Sequence, residues 1–343
     1  MSRLRNVKAT ASDAASRLLE TFSDKTVIRR QLLDANQLQK LSLTLNRLDL
    51  DGQDVSDQAP VEGTPVPPGY HLAYFTPNGT ETELGADGSD TTFNVSAPFT
   101  RRMWAGGQMT WTSDVSLRVG DQVEEKTKLI SATPKKSRSA MDMVLVEVEK
   151  EFWGSKGLAL TDRRSWIFRP EIDLRPLNVA PIPLDDVVPG PTSIRDLVGR
   201  KSQVGLFRFS ALAFNGHMIH YNQNWTQNVE GHPAEVVHGP LNLINILDYW
   251  RDIHGSGQRL SGITYRALSP LYAGQTYNIR TSAFQEEEKQ KTWEVLVEKG
   301  GTVCMKSEIM AEQPLPAKIG VMTGSQMPSQ GPTFNYGGMV RGK

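Results

Sequence analysis

The sequence predicts an α+β fold in which an antiparallel sheet wraps around a helix, with this unit present twice along the chain. The first observation is a helical stretch at residues 241–253 that precedes a run of strands, a pattern typical of a curved sheet around one helix. The second observation is that the first half of the chain contains the same strand run. The third is a proline-rich stretch at residues 170–191 between the halves, since proline suits neither a helix nor a central strand.

In the first half, the spacing of apolar residues predicts helices at residues 12–22 and 34–48, and Asp34 followed by Gln37 resembles a capping box. Residues 51–69 are rich in Asp, Gly and Pro and are predicted to be loop. Segments such as MVLVEVEKEF alternate apolar and polar residues, as half-buried strands do. The predicted strands are residues 70–75, 108–111, 122–132, 143–152 and 158–168.

The second half repeats this outline after a short predicted helix at residues 193–199. In both halves an apolar-x-x-Gly turn leads into two long strands that a charged hairpin joins. The predicted strands of this half are residues 262–267, 275–285, 291–299 and 302–311. The predicted boundaries are an N-terminal repeat at 1–169, a linker at 170–192, a C-terminal repeat at 193–312 and a loose tail without periodicity at 313–343.

Composition excludes several classes of protein. The chain has 38 basic and 38 acidic residues, so it has no net field to hold a nucleic acid or an anionic membrane surface. No apolar run approaches the ~20 residues that a membrane-spanning helix needs. Cys304 is the only cysteine, which excludes an internal disulfide, and its strand-like context predicts a core position. Residues 1–11 are basic and faintly similar to a mitochondrial presequence, so a cytoplasmic and a mitochondrial location both stay open.

Histidines concentrate in one segment of the second half. Residues 217–238 contain His217, His220, His232 and His238, four of the six histidines in the chain. Because histidine exchanges protons near neutral pH, this segment is expected to carry the chemistry. The His217-x-x-His220 spacing imitates a pair of metal ligands, but no cysteine or acidic cluster completes it, so we predict no metal site. Glycine-rich segments form no phosphate-binding or dinucleotide motif, so we predict no cofactor.

Three separated motifs carry a resemblance to a known family: RRMWAGG at 101–107, FNGHMIHYN at 214–222 and EGHPAEVVHGPL at 230–241. Together they resemble the MaoC-like dehydratases, and more closely the two-repeat branch of mesaconyl-C4-CoA hydratase, itaconyl-CoA hydratase and hydroxyacyl-thioester dehydratase type 2. The resemblance implies a double hotdog fold with chemistry confined to the C-terminal repeat. It also implies reversible addition of water to a 2-enoyl thioester, with a short dicarboxylic acyl-CoA among the candidate substrates.

The resemblance assigns the proton transfer to His220, for which a buried structural histidine is the alternative. The broader family carries aspartate five residues before this histidine and asparagine three before it, where this chain has Asn215 and His217. An amide is not a base near neutral pH, so we expect Asn215 to orient the water, or else to bond the local backbone in a turn. Asn222 replaces a usual aspartate and is expected to cap a short helix that begins near Gln223.

Other site residues are expected around this pair. Gly239 opens the helix that follows, and its amide is the expected oxyanion donor, while His238 is expected to shape the pocket together with His217. Glu235 is interpreted as a solvated loop residue, with substitution for the missing carboxylate as the alternative. His232 and His254 are interpreted as surface or loop residues, and His71 is placed in an N-terminal strand away from the motifs.

Arginines in the first motif suggest an anion site. Arg101, Arg102 and Trp104 are predicted to bind a CoA phosphate or the distal carboxylate of a dicarboxylic acyl group. The alternative is a solvated pair of arginines beside a structural turn.

Two rival functions stay open at this stage. One is a dehydratase or cyclase of secondary metabolism that uses the same cavity, and the other is a catalytically silent acyl-binding protein. The expected partner is an acyl-CoA or an acyl-carrier thioester, without nucleic acid or membrane insertion, and formation of a homodimer is left open. Hydration of an enoyl-CoA would separate the enzyme from the binding protein.

Overall fold

The computed structural model describes residues 9–137, 139–171 and 201–312. Five α-helices occur there: α1 (Ala11–Phe22), α2 (Ala35–Thr44), α3 (Lys201–Leu212), α4 (Gln223–Asn228) and α5 (Gly239–Ile253). The strands of the first half are β1 (Thr26–Leu32), β2 (Asp49–Leu50), β3 (Gln53–Asp54), β4 (Arg101–Trp111), β5 (Gln122–Lys136), β6 (Asp142–Gly154) and β7 (Gly157–Arg169). The strands of the second half are β8 (Arg259–Ala267), β9 (Asn278–Glu286), β10 (Gln290–Lys299) and β11 (Thr302–Glu312).

Nine of these strands form one antiparallel sheet in the order β1-β5-β6-β7-β4-β8-β11-β10-β9. The first five belong to the N-terminal half and the last four to the C-terminal half, so the halves join where β4 pairs with β8. Met109 lies opposite Ile263 at this junction. The α+β prediction with an antiparallel sheet is therefore confirmed, and the two repeats share a single continuous sheet.

Helix α5 crosses the inner face of the C-terminal part of the sheet. Its residues Leu241 to Trp250 are all buried, as expected for a helix that a curved sheet encloses. Apolar side chains of the sheet, such as Val295 of β10 and Ile309 of β11, belong to the same core cluster as Leu243 and Ile246 of this helix. The C-terminal inner face is thus filled by an apolar helix.

The inner face of the N-terminal part is apolar at its ends and polar in its middle. At one end Leu18 of α1 shares a core cluster with Val144 and Val146 of β6. At the other end Leu41 of α2 shares a cluster with Phe152 of the same strand. Between them the alternation of β5, β6 and β7 directs buried polar side chains to the same face, namely Glu125, Thr127, Lys150 and Asp162.

Most predicted elements are confirmed within one to a few residues, but one prediction is wrong, one strand is longer than predicted, and two of the longer elements were not predicted. Residues 70–75 do not form a strand, because Tyr70–Ala73 is a 3-10 helix whose four side chains are buried. The strand predicted at 108–111 begins seven residues earlier, because Arg101–Trp111 is the eleven-residue strand β4. Strand β1 and helix α3 were not predicted. A short apolar run does not distinguish a strand from a buried helical turn, and β1 alternates half-buried with exposed residues at the sheet edge.

Several predicted segments lie outside the described residues. These are the basic residues 1–8, the linker from residue 172 onward, the helix at 193–199 and the tail at 313–343. The proposed domain boundaries at 169–170 and 192–193 therefore stay predictions. Among the described residues, no helix is long and apolar enough to span a membrane.

Candidate active site

A cavity of about 400 Å³ brings both halves of the molecule to one site. From the C-terminal half it is lined by His217, His220 and Gly239, and from the N-terminal half by Trp104 and Lys150 among others. Its volume is in the range of small-molecule sites, about 300–1,000 Å³. The motifs at 101–107, 214–222 and 230–241, which are far apart in sequence, therefore meet in one cavity.

His220 ends a 3-10 helix, Met218–His220, and is buried at the cavity wall. Its Nδ1 lies 2.7 Å from the carbonyl oxygen of Val236. A carbonyl oxygen only accepts, so Nδ1 carries the proton and Nε2 has a free lone pair. Burial, and secondly the neighbouring His217, lowers the pKa of His220 to about 3. The ring is therefore neutral at physiological pH, which is the state that a general base requires.

His238 fixes the orientation of His220 from the other side. The two rings stack with centroids 3.6 Å apart and an interplanar angle of 19°. Nε2 of His238 lies 2.8 Å from Oγ of Ser210 on helix α3, which holds the ring in place. Burial also lowers the pKa of His238 well below its usual value. The predicted role of His238 in shaping the pocket stays a prediction.

His217 faces a carboxylate that the sequence analysis missed. Nε2 of His217 lies 3.4 Å from Oδ2 of Asp87, which belongs to a loop of the N-terminal half. Burial lowers the pKa of His217 to about 4, and the Asp87 carboxylate opposes that effect. The backbone carbonyl of Asp87 also accepts a hydrogen bond from the amide of Met218 at 2.8 Å. The N-terminal half thus supplies a carboxylate to the histidine cluster.

Two glycines allow these loops to approach each other. Gly88 has φ +78°, and a Cβ placed there would collide with the carbonyl oxygen of Gly216. A Cβ on Gly216 would in turn lie 2.7 Å from the carbonyl oxygen of Gly88. Real side chains do not tolerate such contacts with backbone, so the docking of the Asp87 loop on the histidine segment requires glycine at both positions.

The two asparagines of the motif have local partners. Oδ1 of Asn215 accepts a hydrogen bond from the amide of His217 at 3.1 Å, and Asn215 also lines the cavity. This contact is the local turn that we kept as the alternative for Asn215, and a role in orienting water stays a prediction. Oδ1 of Asn222 accepts from the amide of Trp225 at 3.0 Å, so the predicted cap of helix α4 is confirmed.

Gly239 is the first residue of helix α5, where backbone amides have no partner within the helix. No described residue accepts a hydrogen bond from its N–H, which leaves the amide available to a ligand oxygen. A Cβ at this position would lie 2.8 Å from Cγ of Trp104. The indole of Trp104 therefore packs directly on the helix start, and only glycine leaves room for it.

The two arginines of the first motif are paired with acids of the protein. Nε of Arg101 lies 2.6 Å from Oε2 of Glu230. Arg102 lies 3.8 Å from Asp90, and its guanidinium covers the ring of Trp166 at 5.1 Å. Both arginines line the cavity and are half-buried, with side chains 19% and 18% exposed, so neither the anion site nor the solvated-pair alternative is decided by these contacts. Their predicted contact with a substrate anion stays a prediction.

Two other residues are placed differently from our predictions. Glu235 is not solvated, because it is only 7% exposed and lies 3.4 Å from Nε2 of Gln203. His71 is not remote from the motifs, because it lines the same cavity and lies 3.6 Å from Asp162. Glu235 was taken as solvated because loop residues usually are, whereas His71 was taken as remote because it is far from the motifs in sequence, and only tertiary packing places both. Cys304 is buried, as predicted.

One group of side chains has the donor types of a metal site. Oxygen or nitrogen atoms of Asp87, His217 and Glu230 lie within 4.8 Å of one another. Glu230 already accepts the short hydrogen bond from Arg101, and a cation there would have to displace the guanidinium. The described donor set therefore fits an ion-paired wall better than a metal centre.

Comparison with known proteins agrees with the geometry. A family model described as hydroxyacyl-thioester dehydratase type 2 matches residues 69–273, a range that contains all three motifs. The chain is 30% identical over 219 residues to the mesaconyl-C(4)-CoA hydratase of Chloroflexus aurantiacus, covering 62% of this chain and 74% of that protein. It is 26% identical over 279 residues to the mitochondrial hydroxyacyl-thioester dehydratase type 2 of Schizosaccharomyces pombe, covering 74% and 89% respectively.

Solved structures confirm the fold. A MaoC-like dehydratase from Phytophthora capsici aligns with a TM-score of 0.58 at 14% identity, covering 85% of this chain and 96% of the other. A double hotdog protein from Mycobacterium tuberculosis aligns with a TM-score of 0.52 at 12% identity, covering 90% and 99%. At these identities the likeness concerns the fold alone, and it confirms the predicted double hotdog. The resemblance carried by the three motifs is confirmed by the sequence matches.

Proposed function

We propose that this chain, which belongs to the hydroxyacyl-thioester dehydratase type 2 family and is a hydro-lyase, adds water reversibly to the double bond of a 2-enoyl thioester. One observation carries the proposal. His220 donates from Nδ1 to the Val236 carbonyl and so keeps Nε2 unprotonated at the wall of the cavity. A buried, neutral imidazole of fixed tautomer is suited to take a proton and to return it.

In the hydration direction, Nε2 of His220 takes a proton from water as the water oxygen bonds to C3 of the enoyl group. The same nitrogen then delivers that proton to C2, so the base is regenerated at the end of the cycle. In the dehydration direction it removes the C2 proton and gives it to the departing hydroxyl. The stacked ring of His238 and the carbonyl of Val236 hold the imidazole during both transfers.

Negative charge develops on the thioester oxygen while C2 is an enolate carbon. The free amide of Gly239 at the start of helix α5 is the proposed donor to that oxygen, because a helix N-terminus carries partial positive charge. Asn215 is the proposed group that positions the water or hydroxyl, through the amide nitrogen that its bond to His217 leaves free.

For the acyl group, we propose a short dicarboxylic acyl-CoA, with an acyl-carrier thioester as the alternative form of the substrate. The support is the relative from Chloroflexus aurantiacus, whose name specifies mesaconyl-C(4)-CoA. A second support is the basic lining of the cavity, which includes Arg101, Arg102 and Lys150.

The test is a spectrophotometric assay of the purified full chain. Mesaconyl-, itaconyl- and crotonyl-CoA are supplied one at a time, and loss of the conjugated double bond is followed over time. We expect saturable turnover of at least one of them. Saturable binding of these thioesters without turnover of any would contradict the proposal and favour the acyl-binding protein.

A further inference from the structure

A band of charged side chains crosses the inner face of the N-terminal half of the sheet. The inner face of the C-terminal half is apolar instead. Strand pairing places these side chains next to one another. Arg29 of β1 lies opposite Glu125 of β5, and Lys150 of β6 lies opposite Asp162 of β7. Arg164 follows two residues after Asp162 on the same face. We call these five residues the cationic band, because three cations and two carboxylates give it one excess positive charge.

Both carboxylates of the band are occupied by its own cations. Nζ of Lys150 lies 2.7 Å from Oε1 of Glu125, and Nη2 of Arg164 lies 2.6 Å from Oδ2 of Asp162. Arg29 reaches only 4.0 Å from the same Glu125 oxygen, although its side chain is 14% exposed. Arg29 therefore has no close carboxylate of its own among the described residues.

The three cations of the band line the cavity that contains His220, whereas the two carboxylates do not. The positive groups thus face the ligand space and the negative groups lie behind them. Burial lowers the pKa of Lys150 to about 8, with Glu125 opposing, so this ammonium is still charged at neutral pH. A hydrocarbon tail in this space would strip water from the cations and give them no partner in exchange.

The band also begins close to the reacting end of the cavity. Gly239 packs on one side of the Trp104 indole, and the guanidinium of Arg164 lies 5.4 Å from the centre of that indole. A single aromatic side chain therefore separates the proposed oxyanion donor from the first cation of the band.

We infer that the cationic band binds a carboxylate at the end of the acyl group, so that the substrate class is a short 2-enoyl thioester with a terminal carboxylate. This inference rests on the proposed function, and it moves recognition of the distal carboxylate from Arg101 and Arg102 to Arg29, Lys150 and Arg164. A carboxylate there supplies the missing negative charge and accepts charge-assisted hydrogen bonds.

Binding of saturated thioesters tests the inference without any catalytic step. Succinyl-CoA and butyryl-CoA have acyl groups of the same carbon number and differ in the terminal carboxylate. Isothermal titration calorimetry with the full chain is expected to show at least tenfold tighter binding of succinyl-CoA. Equal affinities would overturn the inference, whatever the outcome of the hydration assay.

Two variants locate the effect. Arg29→Gln removes the cation that has no close carboxylate, and Lys150→Met with Glu125→Gln removes a buried ion pair as a unit. Arg29→Gln removes the excess positive charge and is expected to lower the succinyl-to-butyryl affinity ratio at least fivefold. The double variant removes one cation and one carboxylate and is expected to lower the ratio less, whereas Arg280→Gln, in an ion pair with Glu298 outside the cavity, keeps it. An unchanged ratio in a folded Arg29→Gln protein would overturn the assignment even if the double variant does not fold.

The same proteins separate this inference from the proposed function. The proposed function fails if the wild type hydrates no enoyl-CoA and yet still binds succinyl-CoA more tightly than butyryl-CoA. Failure of the inference is hydration by the wild type with an affinity ratio that neither band variant changes.

Discussion

The two halves of the sheet differ in what lies against their inner faces. In the C-terminal half, helix α5 fills the concavity and meets apolar side chains such as Val295 and Ile309. In the N-terminal half no long helix occupies the middle of the face among the described residues, and charged side chains such as Lys150 and Glu125 lie there instead. The inner face of the C-terminal half therefore forms a packed core, whereas that of the N-terminal half forms part of the cavity wall.

This difference explains what each half of the chain contributes to the site. The filled half provides a rigid helix start, with Gly239 and the histidines around it held by packing. The open half provides space and charge, and it also sends Asp87 across to His217. The N-terminal repeat was expected to have no catalytic role, and in the structure it lines part of the cavity and places Asp87 beside His217.

The largest expected effect tests whether proton transfer belongs to the C-terminal half alone. His220→Ala is expected to lower kcat/KM for the best enoyl-CoA by ~10²- to 10⁴-fold, which corresponds to about 2.7–5.4 kcal/mol. His254→Ala is the matched control, because His254 lies at the other end of helix α5 and does not line the cavity. A His220→Ala protein that retains a near-normal rate would show that another group carries the proton.

The next-largest effect is on the free energy of unfolding, which is compared for substitutions on the two inner faces. Ile309→Ala removes a fully buried side chain from the filled half and is expected to lower the free energy of unfolding by about 2–5 kcal/mol. Lys150→Met with Glu125→Gln replaces the buried pair of the open half and is expected to be neutral or to stabilise by about 1–4 kcal/mol. Urea unfolding at pH 7 measures both. A double variant as unstable as Ile309→Ala would mean that the band is part of the core.

The smallest effect concerns Asn215, which lines the cavity and accepts a hydrogen bond from the His217 amide. Asn215→Leu removes the bond to the His217 amide and any bond to water, and we expect kcat to fall by about tenfold or more while ligand affinity is retained. If this variant is as fast as the wild type, position 215 is structural and has no part in the chemistry.

The pH–rate profile of Asn215→Asp tests whether position 215 acts together with His220. The added negative charge favours imidazolium and should raise the pKa of His220, which burial holds at about 3 in the wild type. Hydration needs neutral His220, so activity is present above this pKa and is lost as pH falls through it. The acid limb of the pH–rate profile is therefore expected to move upward in Asn215→Asp, and an unmoved limb would separate Asn215 from His220.

The contrast between the halves also explains which parts of the structure could be predicted. Helix α5 and the strands after it are regular and apolar, so periodicity alone located them. The open half depends on tertiary contacts: β1 carries Arg29 and alternates too weakly to be recognised, and Tyr70–Ala73 is buried without any helical period. Asp87 could not be assigned because its partner His217 lies 130 positions away, and the loop around it has only the composition of a turn.

The contact between Gly88 and Gly216 limits how such a protein can be recombined. Each glycine leaves space for the backbone of the other, one in each half of the chain. A chimaera that takes its first half from one relative and its second half from another must bring glycine at both sites, or the two loops will not seat and Asp87 will not reach His217. In laboratory shuffling of relatives these two codons are therefore expected to be inherited together.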